Sequence, residues 1–359
     1  MFTSNWNIGL PGRVTLAGAV EGHDARLVAE VAQRLKNKPV LFVALDDMRA
    51  ASMSDALGFF APHCEVVQFP AWDCLPYDRI SPHSDVSSAR LSALSRLQQP
   101  FHSLCVVITT INAITQKTLP AHILSQSILD ARVGGALPQD KLRDFLVQNG
   151  YINAGTVREA GEFAVRGGIV DIFPSGYEAP LRLDFFGDEI ESVRVFDPLS
   201  QTTMDKIDGF YLGPVSEAIM TDASVSNFRS GYRALFGAVT DGDALYESVT
   251  NKSKFPGVEH WLGLFYPNLK NLFDFLPDSP VLFDHQSFEA MEARFQQIED
   301  FYQARLGLYQ AAKRNKNRDC GVPYKPAPVS SLYMDMNSIN SALENRPHAV
   351  FSPFDHVQL

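Results

Sequence analysis

The stretch GEFAVRGGIVDIFPSGYEAPLRLDFFGDEIESVRVFD, Gly161 to Asp197, holds the side chains best suited to recognition chemistry. Its β-rich runs 163–166 and 169–173 are separated by Gly167-Gly168, and 181–186 and 190–196 by the turn Gly187-Asp188-Glu189. This pattern predicts a small antiparallel sheet. Side chains alternate across a strand, so Leu181, Leu183 and Phe185 share one face while Arg182, Asp184 and Phe186 share the other. Two adjacent phenylalanines in one strand cannot enter the same core. With Phe185 inside, Phe186 stands outside beside Arg182, an aromatic and a guanidinium of the kind enriched where proteins dock. Such chemistry binds a partner and makes no bond.

Other candidate chemistry is thinner. Asp171, Asp184, Asp188, Glu189 and Glu191 could hold Mg²⁺ in pairs, but acids at turns and outward positions of a hairpin more often serve solvation and edge protection. The loop Gly18-Ala19-Val20-Glu21-Gly22-His23-Asp24 precedes a helix as a phosphate-binding loop would. It lacks the lysine, and its two acids repel a triphosphate, so it reads as a plain entry into a helix. Asp46-Asp47 after an apolar run reads as a solvated helix start rather than a metal pair. The nine histidines are scattered, with His83 and Asp85 the one close pair, and nothing signals a nucleophile. The four cysteines, Cys64, Cys74, Cys105 and Cys320, have no metal-site spacing and fit a reducing cytoplasm. No catalytic residue, metal site or cofactor is expected.

These residues need scaffolding, and 359 residues exceed one typical core. Apolar residues make up 45% and charged residues 20%, an ordinary globular balance. The formal charge of −10 disfavours a general grip on nucleic acid, which needs clustered Lys and Arg. Nothing resembles a signal peptide or a membrane span. The first third alternates helix (24–36) with buried strands (40–45, 66–69, 104–108) and a helix that Asp85 can cap, the pattern of an α/β domain with a mostly parallel sheet. A helix at about 138–149, ended by Gly150, then leads into the small sheet. Beyond 212 the chain reads as mainly helical, with candidates at 228–236, 244–249, 262–275 and 288–312 and one short strand at 281–283. Residues 313–328, with KRNKNR and three prolines, read as an exposed linker. The last stretch is too short for a domain, which suggests the front portion of a longer polypeptide. The segment FPAWDCLPYDRISPHSDVSSAR, Phe69 to Arg90, reads as a long loop packed on the α/β domain; base stacking by its aromatics is countered by Asp73, Asp78 and Asp85.

Taken together, FPAWDCLPYDRISPHSDVSSARLSAL, GEFAVRGGIVDIFP, LRLDFFGDEIESVRVFD and, more weakly, GVEHWLGLFY (Gly257 to Tyr266) resemble the amino-terminal module of the bacterial transcription-repair coupling factors (Mfd), itself related to the repair protein UvrB. The resemblance covers nearly the whole chain. Two departures separate it from UvrB: the decayed phosphate loop, and SPHSDVSSARL following Tyr77-Asp78 almost directly, which leaves no room for a DNA-clamping aromatic hairpin.

The resemblance implies a degenerate helicase-like parallel-sheet domain (1–125), an inserted α+β domain (126–212), a smaller helical completing part (213–328) and, at 329–359, a linker and the start of a following domain. In the family the inserted domain recruits UvrA through arginines and an aromatic. By motif these are Arg166 of A-V-R-G-G, Arg182 and Phe186 of L-R-L-D-F-F, with Arg194 of the paired strand as a further addition. The family's motor, its double-stranded DNA contacts and its RNA polymerase-binding part lie outside this chain, and a carboxyl-terminal domain is thought to mask the UvrA surface. The leading expectation is therefore a non-enzymatic docking module. The alternatives are a UvrB-like DNA-handling ATPase, opposed by the missing lysine loop, and a weak DNA-binding module, opposed by the acidic balance.

Overall fold

A computed structural model of the chain describes residues 8, 10–35, 37–240, 242–314 and 323–354. Its strands in chain order are β1 (Gly12–Leu16), β2 (Val40–Ala44), β3 (Glu65–Phe69), β4 (Cys105–Thr110), β5 (Leu129–Arg132), β6 (Ile152–Asn153), β7 (Glu162–Arg166) and β8 (Ile169–Ile172). They continue with β9 (Leu181–Phe186), β10 (Glu189–Phe196), β11 (Thr203–Ile207), β12 (Gly209–Leu212), β13 (Val281–Phe283) and β14 (Pro347–Phe351).

The first sheet has six strands, all parallel, in the order β1-β14-β13-β2-β4-β3. The runs VLFVA and CVVITT are buried at every position because helices cover both faces. One layer of core packs Phe42, Val106, Leu282 and Phe351 against the helices His23–Leu35 and Asp47–Phe60. The other packs Leu41, Val107 and Phe283 against the helix Ser84–Leu97 and the residues after 218. The α/β expectation holds.

The segment 69–90 is built into this second layer. Arg90 and Glu217 are both fully buried and meet at 2.6 Å, and the Trp72 indole N–H donates to the same carboxylate oxygen at 2.7 Å. Arg90 also donates to the Pro70 carbonyl and lies 4.3 Å from the centre of the Phe69 ring. A buried charge requires a partner and hydrogen bonds to persist, and this cluster supplies both. It fastens the long loop to the chain just beyond the inserted domain.

That domain leaves and returns through the antiparallel pair β5–β12, with Leu129 opposite Leu212. Its own sheet runs β11-β10-β9-β8-β7-β6. The inner face, with Phe163, Val170, Leu181, Leu183, Phe185 and Val193, packs on Leu142 and Leu146 of the helix Gln139–Gln148. Gly150 ends that helix at φ 90°, where a Cβ would sit 2.7 Å from the Ser216 side chain. Among the described residues no helix is long and apolar enough to cross a membrane.

Several expectations change. Residues 329–354 are neither a linker nor the start of another domain. Their helix Met336–Leu343 leads into β14, which lies between β1 and β13 inside the first sheet, and Met334 N–H donates to the Thr115 carbonyl at 2.8 Å. The strand PHAVF is short, and its partners are distant in sequence. The part 213–328 contributes β13, the strand expected at 281–283, and shares apolar packing with the α/β layer. The expected helix 262–275 is two short ones, Leu262–Phe265 and Leu272–Phe275, broken after Tyr266 by Pro267. The linker expected at 313–328 lies in part outside the described residues, as does Cys320; Lys313 and Arg314 end the helix Ser287–Arg314.

Candidate functional site

The outer face of the second sheet carries the four residues singled out in the sequence. Gly167 (φ 60°) and Gly168 close the β7–β8 hairpin, and Gly187 (φ 62°) with Asp188 closes β9–β10, so Glu189 already pairs with Phe186. These tight turns fix the register, and register fixes which side chains face out. Phe185 turns inward and is buried, whereas Phe186 is 82% exposed at the end of β9. Arg166 pairs with Ile169, which in turn pairs with Asp184, so Arg166 shares the outer face with Arg182, Phe186 and Arg194. The sheet thus brings all four together on one side.

Their electrostatic states differ. Arg182 lies opposite Asp171 and forks onto it through Nε at 2.7 Å and Nη2 at 2.9 Å. Its guanidinium stands 4.5 Å from the centre of the buried Phe196 ring, and the Asp171 hydrogen bond pushes its pKa up further. Arg194 reaches both oxygens of Asp184 at 2.6 and 2.7 Å, and Ser192 donates to the same carboxylate at 2.5 Å. Arg166 is exposed, and its Nη2 donates to the Gly155 carbonyl at 2.6 Å, a neutral partner that leaves its charge uncompensated. The sequence pointed to open guanidinium groups at Arg182 and Arg194; in the structure each is neutralised within the sheet. Alternation placed the arginines on the outer face, but the acids that answer them sit on neighbouring strands, and cross-strand register is not visible from spacing. Asp171 is accordingly a buried ion-pair partner, not a solvating edge acid.

A feature missed in the sequence borders this face. The loop 197–202 joins β10 to β11, and Gln201 there adopts φ 61° while accepting from Arg182 Nη2 at 3.4 Å. The Asp-Pro pair at its start was the available signal.

Cofactor chemistry finds no cradle in the loop before the first helix. Asp24 Oδ1 accepts from the amides of Gly22 at 2.9 Å and Ala25 at 2.7 Å, and its other oxygen is bonded by Arg49. Arg49 also pairs with Asp284 at 2.9 Å, while the amides of Gly18 and Ala19 donate to the Phe354 and Ser352 carbonyls. A protein carboxylate and main-chain carbonyls occupy the positions a phosphate would need. Asp46 caps the following helix through the Arg49 amide, as expected of a helix start. His83 and Asp85 also belong to a helix start, with His83 rather than Asp85 at the cap position. Among the described residues no group of three or more His, Cys, Asp or Glu could hold a metal ion.

Residues 129–217 match the family described as UvrB interaction domain, which spans the second sheet and both strands of its neck. The transcription-repair-coupling factor of Haemophilus influenzae is 33% identical over 337 residues, 94% of this chain and 28% of that protein. That of Escherichia coli is 34% identical over 339 residues, again 94% of this chain and 28% of that protein. The Myxococcus xanthus protein of the same name is 34% identical over 289 residues, 75% of this chain and 23% of that protein. The chain therefore spans about a quarter of the length of these relatives. It belongs to the transcription-repair-coupling factors, as an amino-terminal module carrying their UvrB interaction domain.

Proposed function

We propose that the outer face of the inserted sheet docks the damage-recognition ATPase UvrA, so that this module recruits nucleotide excision repair without catalysing a reaction itself. The observation that carries the reading is Phe186: a large aromatic, 82% exposed, fixed by a two-residue turn on the same sheet face as the uncompensated charge of Arg166. Aromatic and Arg side chains held in place dominate binding energy at protein interfaces. The match to a UvrB interaction domain over these residues supports the same reading. Arg182 and Arg194 join the surface as paired, partly exposed groups.

The whole relatives are much longer. Translocation on double-stranded DNA and contact with RNA polymerase are proposed for a protein of that length, acting in the bacterial cytoplasm through parts other than these residues. Calorimetric titration of UvrA into the chain tests the docking reading. Saturable binding that Phe186→Ala weakens by tenfold or more, with the melting temperature unchanged, is the expected result. Parent-like binding by both Phe186→Ala and Arg166→Ala rejects it.

A further inference from the structure

The docking face has a second apolar tip. Leu199 is 85% exposed, as open as Phe186, at the crown of the loop 197–202. An isolated exposed leucine needs no explanation, but the loop beneath this one is unusually well fixed. The Asp197 carboxylate accepts from the amides of Leu199 at 3.1 Å and Ser200 at 2.6 Å, and the Asp197 amide donates to the Thr202 carbonyl at 2.9 Å. Gln201 holds the left-handed conformation, φ 61°, and its side-chain amide donates to the Val157 and Pro198 carbonyls at 3.2 and 2.8 Å. A non-glycine residue kept in that region costs free energy and persists only where its surroundings impose it. The remaining oxygen of Gln201 accepts from Arg182. The loop is thereby folded against the outer face, and Phe196 at its stem lies under the same guanidinium. None of these bonds holds the Leu199 side chain, yet all of them hold its position.

We propose that Leu199 is a second apolar anchor for the protein that docks on Phe186, presented by a loop that Arg182 and Gln201 keep in its bound shape. A rigid loop loses little freedom when its tip is buried, which is what makes an exposed side chain useful as an anchor. The spacing is suitable. The loop is attached through Gln201 to Arg182, four residues along β9 from Phe186, about 13 Å away at about 3.3 Å per residue. A standard interface covers about 800 Å² on each partner, roughly 30 Å across, and admits both. The complementary surface has two apolar depressions, with an acidic or carbonyl-lined patch on the β7 side of them to meet Arg166.

This inference rests on the docking reading, and its test separates the two. UvrA is titrated into the parent chain, Phe186→Ala, Leu199→Ser, Leu199→Met and Gln201→Ala at low and high salt. Leu199→Ser is expected to weaken binding about tenfold at both salt concentrations, because an apolar contact is not screened. Leu199→Met is expected to retain parental affinity, and Gln201→Ala to lose part of it. Melting temperatures of the Leu199 variants should equal the parent's, since the side chain is exposed. If Phe186→Ala weakens binding while Leu199→Ser matches the parent, the second anchor is wrong and the docking reading stands. If neither variant weakens binding, or the parent does not bind, both fall.

Discussion

Arg182 stands directly across from Asp171 on the neighbouring strand and grips it at two points, 2.7 and 2.9 Å. The pair sits on the proposed docking face, so substitutions there should change stability as well as recognition. Removing Asp171 leaves a mostly buried guanidinium without its counter-charge. Asp171→Ala should destabilise the inserted domain by about 2–3 kcal/mol, somewhat less than a fully buried pair because Arg182 keeps contact with water. Urea unfolding followed by hydrogen exchange in β8 and β9 measures this. The double variant Asp171→Ala/Arg182→Ala should lose less than the sum of the singles.

Arg166 and Arg194 should behave differently in one experiment. Arg166→Ala removes an uncompensated charge and should weaken UvrA binding about three- to tenfold at low salt, with the difference shrinking as salt screens it. Arg194→Ala strands Asp184 and should lower the unfolding midpoint instead. A salt series of titrations beside melting curves would show the contrast, and equal behaviour of the two variants would contradict the assigned charge states.

The Arg90–Glu217 pair is a stability element of the larger domain. Both side chains are fully buried. Arg90→Ala, which leaves Glu217 buried without its cation, should cost about 3–5 kcal/mol. A thermal midpoint within a degree of the parent's would show that the site relaxes by admitting water.

His260 makes the larger domain sensitive to mild acid. Burial pulls its pKa down from 6.5 to about 4, so the folded chain holds it neutral while the unfolded chain binds a proton. Its contribution is present above pH 6.5 and is lost as pH falls towards 4, up to about 3 kcal/mol over that window. Asp78 opposes this shift, Arg305 reinforces it, and burial raises the pKa of neighbouring Glu259, which favours the folded state as pH falls. Equilibrium unfolding from pH 7 to 4.5 should show declining stability, with a shallower slope in His260→Gln. A parallel slope in that variant would assign the effect elsewhere.

The occupied amides before the first helix predict indifference to nucleotide. Millimolar Mg-ATP should leave the melting temperature unchanged, whereas a ligand at a hundredfold its Kd would add about 2.7 kcal/mol. A saturable thermal shift would show that Asp24 yields its amides to phosphate.

The sequence carried this face better than its charges. The Phe185-Phe186 doublet, two glycine turns and period-two alternation depend only on neighbours in the chain, and each appears as read. The runs at 40–45 and 104–108 were legible as strands because burial on both faces leaves them continuously apolar. What sequence did not disclose is long-range. Arg90 and Glu217 are 127 residues apart, and Arg182 finds Asp171 only through register. The break near Tyr266 was signalled by Pro267 and overridden by apolar periodicity. The candidate residues were picked out by alternation and motif, whereas their pairing required coordinates.

The placement of β14 carries a consequence for biosynthesis. Among the described residues β1 is hydrogen-bonded in the first sheet only to β14, so this strand lacks that neighbour until residues 347–351 have been made. A ribosome adding about 5–20 residues per second would expose that strand's edge for tens of seconds. The inserted domain, closed by β5 and β12, has all its strands far earlier. Its surface can mature on the nascent chain while the larger sheet is still waiting to close.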